Sequence, residues 1–159
     1  MDVTGRMFLR NGLTLTGNVL LEIGGNITFV GDQTLATGTI VFTGSVGYLV
    51  VDSDTTLTLG PAAVIRGNSG QMLGAGRLIN QGLIAVDVAR GTLTINTGAL
   101  DNSGTLAATA TNATLRVTTK AFTNTGTLQE ANGGKVVIVP RSRLAVPFAN
   151  NGALQDYSR

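Results

Sequence analysis

For acid–base, metal or nucleophilic chemistry, this chain of 159 residues offers nine carboxylates, 11 lysines and arginines in total, and neither histidine nor cysteine. Without histidine, the usual general base, the commonest metal ligand and the Ser-His-Asp triad are missing. Without cysteine there is no thiolate nucleophile, disulfide framework or cysteine-based zinc site. Carboxylate chemistry is what remains. The acids are Asp2, Glu22, Asp32, Asp52, Asp54, Asp87, Asp101, Glu130 and Asp156, and only "VDSD" sets two of them close together, Asp52 and Asp54. Glycoside hydrolysis needs two carboxylates on one face at a defined separation. A Ca²⁺ ion would take two carboxylates from this pair and would need further oxygens. A lyase base would have to come from Arg66 or Arg77 approaching in space, since no Lys or Arg lies near the pair in sequence. The simpler reading is a polar turn ahead of "TTLTLG". No catalytic, cofactor-binding or metal-ligating residue is therefore assigned. No cofactor is expected, and the chain is not expected to be an enzyme.

Other short patterns point the same way. "GNSGQMLGAG" and "ANGGK" are glycine-rich, but neither has the phosphate-loop spacing with Lys-Ser/Thr and neither opens a helix, so both read as corners or loops. Thr56/Thr58 and Thr92/Thr94 suggest the flat threonine array of an ice-binding surface. The coils that follow break it with Arg116 and Lys135, with Val137 turned inward. The basic residues Arg6, Arg10, Arg66, Arg77, Arg90, Arg116, Lys120, Lys135, Arg141, Arg143 and Arg159 are spread along the chain. There is no Trp, and there are two Tyr. Nothing here reads as a nucleic-acid footprint, and the net charge of +2 reads as a solvated surface with slight positive bias.

The elements that would hold these groups follow from a repeat. Hydrophobic residues make up 43% of the chain, enough for a folded domain, yet charged residues are only 13% and glycine supplies 22 positions, a mix suited to short strands and tight turns. Asn80, Asn102 and Asn124 stand 22 residues apart, and Asn150 follows 26 residues later. Gly82, Gly104, Gly126 and Gly152 keep the same steps, as do Ile84, Leu106, Leu128 and Leu154, and Leu78, Leu100, Phe122 and Phe148. A second phrase recurs out of phase, with Leu93, Leu115 and Val137 in one file and Ile95, Val117 and Val139 in another. A period of 22 also aligns Leu13/Leu35/Leu57, Leu20/Phe42/Val64 and Phe29/Val51/Leu73. Within segments such as "TLTL" the alternation has period two, and no stretch sustains the 3.6 periodicity of a helix.

This pattern predicts an all-β, single-stranded parallel β-helix (a β-solenoid) of about seven coils of roughly 22 residues, with three short strands per coil. The coils begin near Leu13, Leu35, Leu57, Leu78, Leu100, Phe122 and Leu144. Residues 1–159 form one domain: 1–12 a partial coil or cap, 13–139 regular coils and 140–159 an irregular last coil around "VPRSRLAVPF", where Pro140 and Pro147 cannot donate to a ladder. The Asn-x-Gly-x-Leu phrase is a corner code. Glycine tolerates positive φ or close backbone approach, and asparagine either bonds the backbone locally or stacks in a ladder with its equivalents.

The stretches "TTLTLGPAAVIRGNSG", "GRLINQGLIAVDVARGTLTI", "LDNSGTLAAT" and "FTNTGTLQEANGGKVVI" resemble the repeat regions of very large bacterial surface proteins. These are autotransporter-passenger-like and filamentous-haemagglutinin-like β-helix proteins, with related repeats in planctomycete and cyanobacterial giants. The resemblance covers roughly Leu13 to Ile138. It implies an exported, extracellular or cell-surface structural module: a rigid stalk, an adhesin segment or a filament subunit joined end to end through open strand edges. The other reading is a carbohydrate-active or carbohydrate-binding β-helix, against which the 4% aromatic content argues. Expected partners are further copies of the chain and a cell surface or polysaccharide, with no nucleic acid and no transmembrane segment. "MDVTGRMFLR" lacks an apolar signal-peptide core, so an export signal is expected to lie outside this chain.

Overall fold

The computed structural model describes residues 2–11, 13, 20–23, 25–43, 47–139, 148–150 and 154–157, with the backbone alone at 20–23, 148–150 and 154–157. Every regular element in them is a strand, and every strand pairing is parallel. The chain winds into the β-solenoid that the repeat requires, because only stacking one coil on the next buries the apolar side of such short segments.

Numbered along the chain, the strands fall on three faces. The first face holds the opening halves of β5 (Gln33–Phe42) and β7 (Thr56–Gly67), then β9 (Arg77–Asn80), β12 (Ala99–Asn102), β15 (Ala121–Asn124) and β18 (Phe148–Asn150). The second holds β1 (Asp2–Val3), β3 (Leu20–Ile23), the closing halves of β5 and β7, β10 (Leu83–Val86), β13 (Thr105–Ala108), β16 (Thr127–Ala131) and β19 (Leu154–Tyr157). The third is a separate seven-stranded sheet: β2 (Arg6–Arg10), β4 (Asn26–Val30), β6 (Gly47–Val51), β8 (Ser69–Leu73), β11 (Thr92–Asn96), β14 (Thr114–Val117) and β17 (Lys135–Ile138). Because β5 and β7 run unbroken round the first corner, the first two faces form one 12-stranded sheet.

Inward residues stack like on like. Leu57, Leu78, Leu100 and Phe122 form one file on the first face, Ile40, Ile65, Ile84, Leu106 and Leu128 another on the second, and Ile27, Leu49, Met72, Ile95 and Val117 a third on the third face. All are buried in one continuous core.

The expected seven coils are corrected to five complete turns, from Gln33 to Ile138, with partial turns on either side. The coil placed near Leu144 and the bulge from Pro140 to Pro147 lie outside the described residues. The 26-residue step across that stretch holds, since Phe122 pairs with Phe148 and Asn124 with Asn150.

A strict period of 22 also fails in the first half. Leu35 pairs with Leu59 and it is Gln33 that pairs with Leu57; Phe42 pairs with Gly67, and Val64 with Thr39; Leu73 pairs with Val50 rather than Val51. The cause is the corner. Four residues join Leu59 to its second-face strand at Val64, where two join Asn80 to Leu83, and a register shift between Leu35 and Thr37 absorbs another irregularity. At the other end, Leu115 pairs with Val136 and Val117 with Ile138, so Val137 lies in the outward file over Arg116 and is not a core residue. The step there is 21, one residue short of the pattern extrapolated from Leu93 and Leu115.

Candidate functional site

The Asn-x-Gly phrase forms the corner between the first and second faces. Asn80, Asn102 and Asn124 end successive first-face strands, and their side chains point inward, 0–2% exposed. Burying a primary amide requires partners for it, and the stack supplies them. Asn80 Nδ2 donates to Asn102 Oδ1 at 2.7 Å, and Asn102 Nδ2 to Asn124 Oδ1 at 2.6 Å. The same amides reach round the corner, Asn80 to Thr105 O (3.2 Å), Asn102 to Gly104 O (3.3 Å) and Asn124 to Gly126 O (3.4 Å). The ladder has a first rung: Asn80 stacks on Leu59, and its Oδ1 is buried without a donor.

The glycines two residues on are there for space. A Cβ at Gly104 would sit 2.2 Å from Gly82 O, and one at Gly126 would sit 2.1 Å from Gly104 O. The corners pack backbone on backbone, and no positive φ is needed at these glycines.

Left-handed backbone recurs on successive turns at a different corner, between the second and third faces, at Arg90 (φ 61), Asn112 (φ 55) and Asn132 (φ 52). Arg90 N donates to Thr111 O and Asn112 N to Asn132 O, so these turns stack too. The sequence signal for this column was weak, because Arg90 interrupts the Asn112/Asn132 identity and the step between the three is not constant. "ANGGK" falls here, and "GNSGQMLGAG" spans corners at Gly67 (φ 138) and Gly74 (φ 124). The first is a turn, as its composition indicated; the second is a corner only at its two ends, since Ser69–Leu73 between them is strand β8.

The acidic pair lies in the turn between β6 and β7. Asp52 Oδ1 accepts the Ser53 amide at 2.9 Å and Asp54 adopts φ 56, so both residues are occupied in shaping that turn. Among the described residues, no three acidic side chains gather as metal ligands. Arg66 and Arg77 carry ion pairs of their own: Arg66 Nη1 with Asp87 Oδ2 at 2.7 Å, and Arg77 Nε with Asp101 Oδ2 at 2.5 Å. The described residues line shallow surface hollows, two of which lie near these groups. One is lined by Asp32, Gln33, Thr34, Thr56 and Thr58, the other by Leu73, Gly74, Ala75, Asn96, Thr97 and Lys120. Neither brings two carboxylates together.

The threonine pairs do not share a surface. Thr56 and Thr58 lie on the first face, Thr58 between Thr34 and Ile79, whereas Thr92 and Thr94 lie on the third, Thr94 between Gln71 and Arg116. Among the described residues, no helix is long and apolar enough to cross a membrane.

The fold thus defines the chain as a β-solenoid built of stacked parallel coils. Comparison with protein-family models, with curated proteins and with solved structures gave no match.

Proposed function

We propose that the protein is a non-enzymatic structural module, a rigid rod within a secreted or cell-surface bacterial protein, serving as a stalk, adhesin segment or filament subunit. The observation that carries this reading is the way the molecule uses its repeat. Ile84, Leu106 and Leu128, the asparagine ladder and the corner glycines all repeat turn after turn, each serving contact with the turn beside it. The register carries past the last complete turn, with β18 on β15 and β19 on β16. Such a ladder suits stiffness and extension along one axis. The engagement of Asp52 within its own turn, and of Arg66 and Arg77 in ion pairs, favours this over the carbohydrate-active reading.

Small-angle scattering combined with electron microscopy of the purified chain tests the proposal. Rods of constant cross-section, singly or joined end to end, are the expected result. A compact or bent particle, or turnover of acidic polysaccharide by the purified chain, would sink it.

A further inference from the structure

The outward side of the third face has a charge pattern unlike the rest of the molecule. Parallel pairing lines up Arg6, Asn26, Tyr48, Gln71, Thr94, Arg116 and Val137 in one file. A second file runs Ser69, Thr92, Thr114 and Lys135, and Arg10 stands two files over from Arg6 on β2, with the exposed Phe8 between them. No outward position on any of the seven strands is acidic, although the chain has nine acids. Arg6, Arg10, Arg116 and Lys135 are exposed. The ion pairs among the described residues belong to Arg66 on the second face and Arg77 on the first. Glu130 does reach the edge of the third face, but its Oε1 accepts the Val136 amide at 2.7 Å.

The four cations form two bands. Arg6 and Arg10 sit on β2, Arg116 and Lys135 on β14 and β17, and five strand steps separate β2 from β14, or about 24 Å at ~4.8 Å per step. Between the bands lie mostly hydroxyl and amide side chains, Thr28, Gln71, Thr92, Thr94 and Asn96, with Tyr48 36% exposed among them and the half-buried Val50 and Leu73 in the file of Thr28 and Asn96.

We infer that this face binds a linear acidic polysaccharide laid along the solenoid axis. Its uronate carboxylates would meet the two cationic bands, and its hydroxyls the Thr, Gln and Asn side chains between them. A flat acid-free sheet is complementary to an extended polyanion and repels none of its charges. The middle of the face favours sugar over nucleic acid. Duplex binding draws on roughly six to ten phosphate contacts, and single strands need successive aromatic platforms, whereas this face offers four cations and Tyr48 and Phe8 in separate files. The inference adds a partner to the rod reading above and rests on that reading only for its setting. Binding by the purified chain succeeds or fails independently of whether the molecule is a stalk.

The test is binding of the purified chain to alginate, a linear polyuronate, with dextran as the neutral polymer, a uronate disaccharide as the ligand too short to bridge the bands, and oligo(dT) as the nucleic-acid polyanion. Binding to alginate and not to dextran is expected, weakening as salt rises. The disaccharide should bind far more weakly than the polymer, since it cannot engage both bands. Arg116→Glu/Lys135→Glu and Arg6→Glu/Arg10→Glu should each weaken alginate binding by about tenfold or more, while Arg77→Gln on the first face leaves it unchanged. The altered residues are exposed, so melting temperatures should stay close to the parent; the Gln versions of both doubles, expected to show a smaller loss in the same direction, serve where a charge reversal disturbs folding. Absence of alginate binding, equal binding to dextran, tighter binding to oligo(dT), or retained affinity in either folded double variant overturns the inference.

Discussion

Replacing one rung of the asparagine ladder should cost more in its middle than at its first rung, and the structure sets the size of the difference. Asn102 accepts from Asn80 at 2.7 Å and donates to Asn124 at 2.6 Å, in a position 2% exposed. Asn102→Leu removes both bonds. It strips Asn80 Nδ2 down to its contact with Thr105 O and takes from Asn124 Oδ1 the donor that Asn102 supplied. Each buried amide that loses a partner costs about 1–3 kcal/mol, so the substitution should destabilise by roughly 2–5 kcal/mol. Asn80→Leu is different. Its Oδ1 has no donor to lose, the residue beneath it in the file is already Leu59, and a single neighbour, Asn102, loses a bond. That change should cost about 1–2 kcal/mol, or less if the introduced leucine packs on Leu59, because exchanging a half-satisfied polar group for an apolar one recovers part of the desolvation term.

The assay is urea unfolding of the two variants beside the parent. The Asn102 variant should have the lower midpoint, at a slope common to all three proteins, with the energy gap taken as midpoint difference times slope. In a chain of this length each kilocalorie also moves the melting temperature by about 2–4 °C. Equal midpoints, or a weaker Asn80 variant, would refute the claim that the ladder's energy lies in paired rungs and that Asn80 is its first member.

Three further outcomes follow from the same stacking. Leu128→Ala, at a site 5% exposed on the second-face file, should cost about 2–5 kcal/mol, whereas Val137→Ala, outward over Arg116, should change stability by less than about 0.5 kcal/mol; thermal melts of the pair check the register of the last turn. Gly126→Ala should destabilise strongly, since even a methyl group would meet Gly104 O at 2.1 Å, while Thr94→Val on the outer side of the third face should be nearly neutral by the same measurement. Glu130→Ala should raise self-association in sedimentation velocity. Among the described residues β17 is the last strand of its sheet, and the Glu130 carboxylate occupies an amide that an added strand would use. An unchanged sedimentation profile would mean that Glu130 does not guard that edge.

What the sequence disclosed and what it hid divide along a physical line. The files Leu78–Leu100–Phe122 and Ile84–Leu106–Leu128 were legible because their corners have the same length, so that equal spacing in sequence is equal position in space. The asparagine ladder was legible for the same reason, and because a polar residue repeated among inward apolar ones has few other uses. Register was lost wherever a corner changed length: at Leu59 to Val64, at Leu35 to Thr37, and in the one-residue shortening before Val136. Parallel stacking tolerates such changes because each strand needs only to land on the strand beneath it. The hydrogen-bond ladder enforces that locally, whatever the count of residues in between.

The same tolerance hid the third face. Arg6 and Arg116 are 110 positions apart and separated by coils of unequal length, yet they stand in one file of outward side chains. Read along the chain, the basic residues look scattered, and scatter argued against a nucleic-acid footprint. Sorted by face they do not, because the acids are excluded from one sheet and the cations Arg66 and Arg77 on the others pair with Asp87 and Asp101. In a solenoid, a surface is assembled from one or two residues per turn, so its charge is a property of register before it is a property of any segment. A sequence reading that assigns each strand to its face from corner lengths, and only then sums charge by face, would have found this surface; a count of basic residues in sliding windows could not.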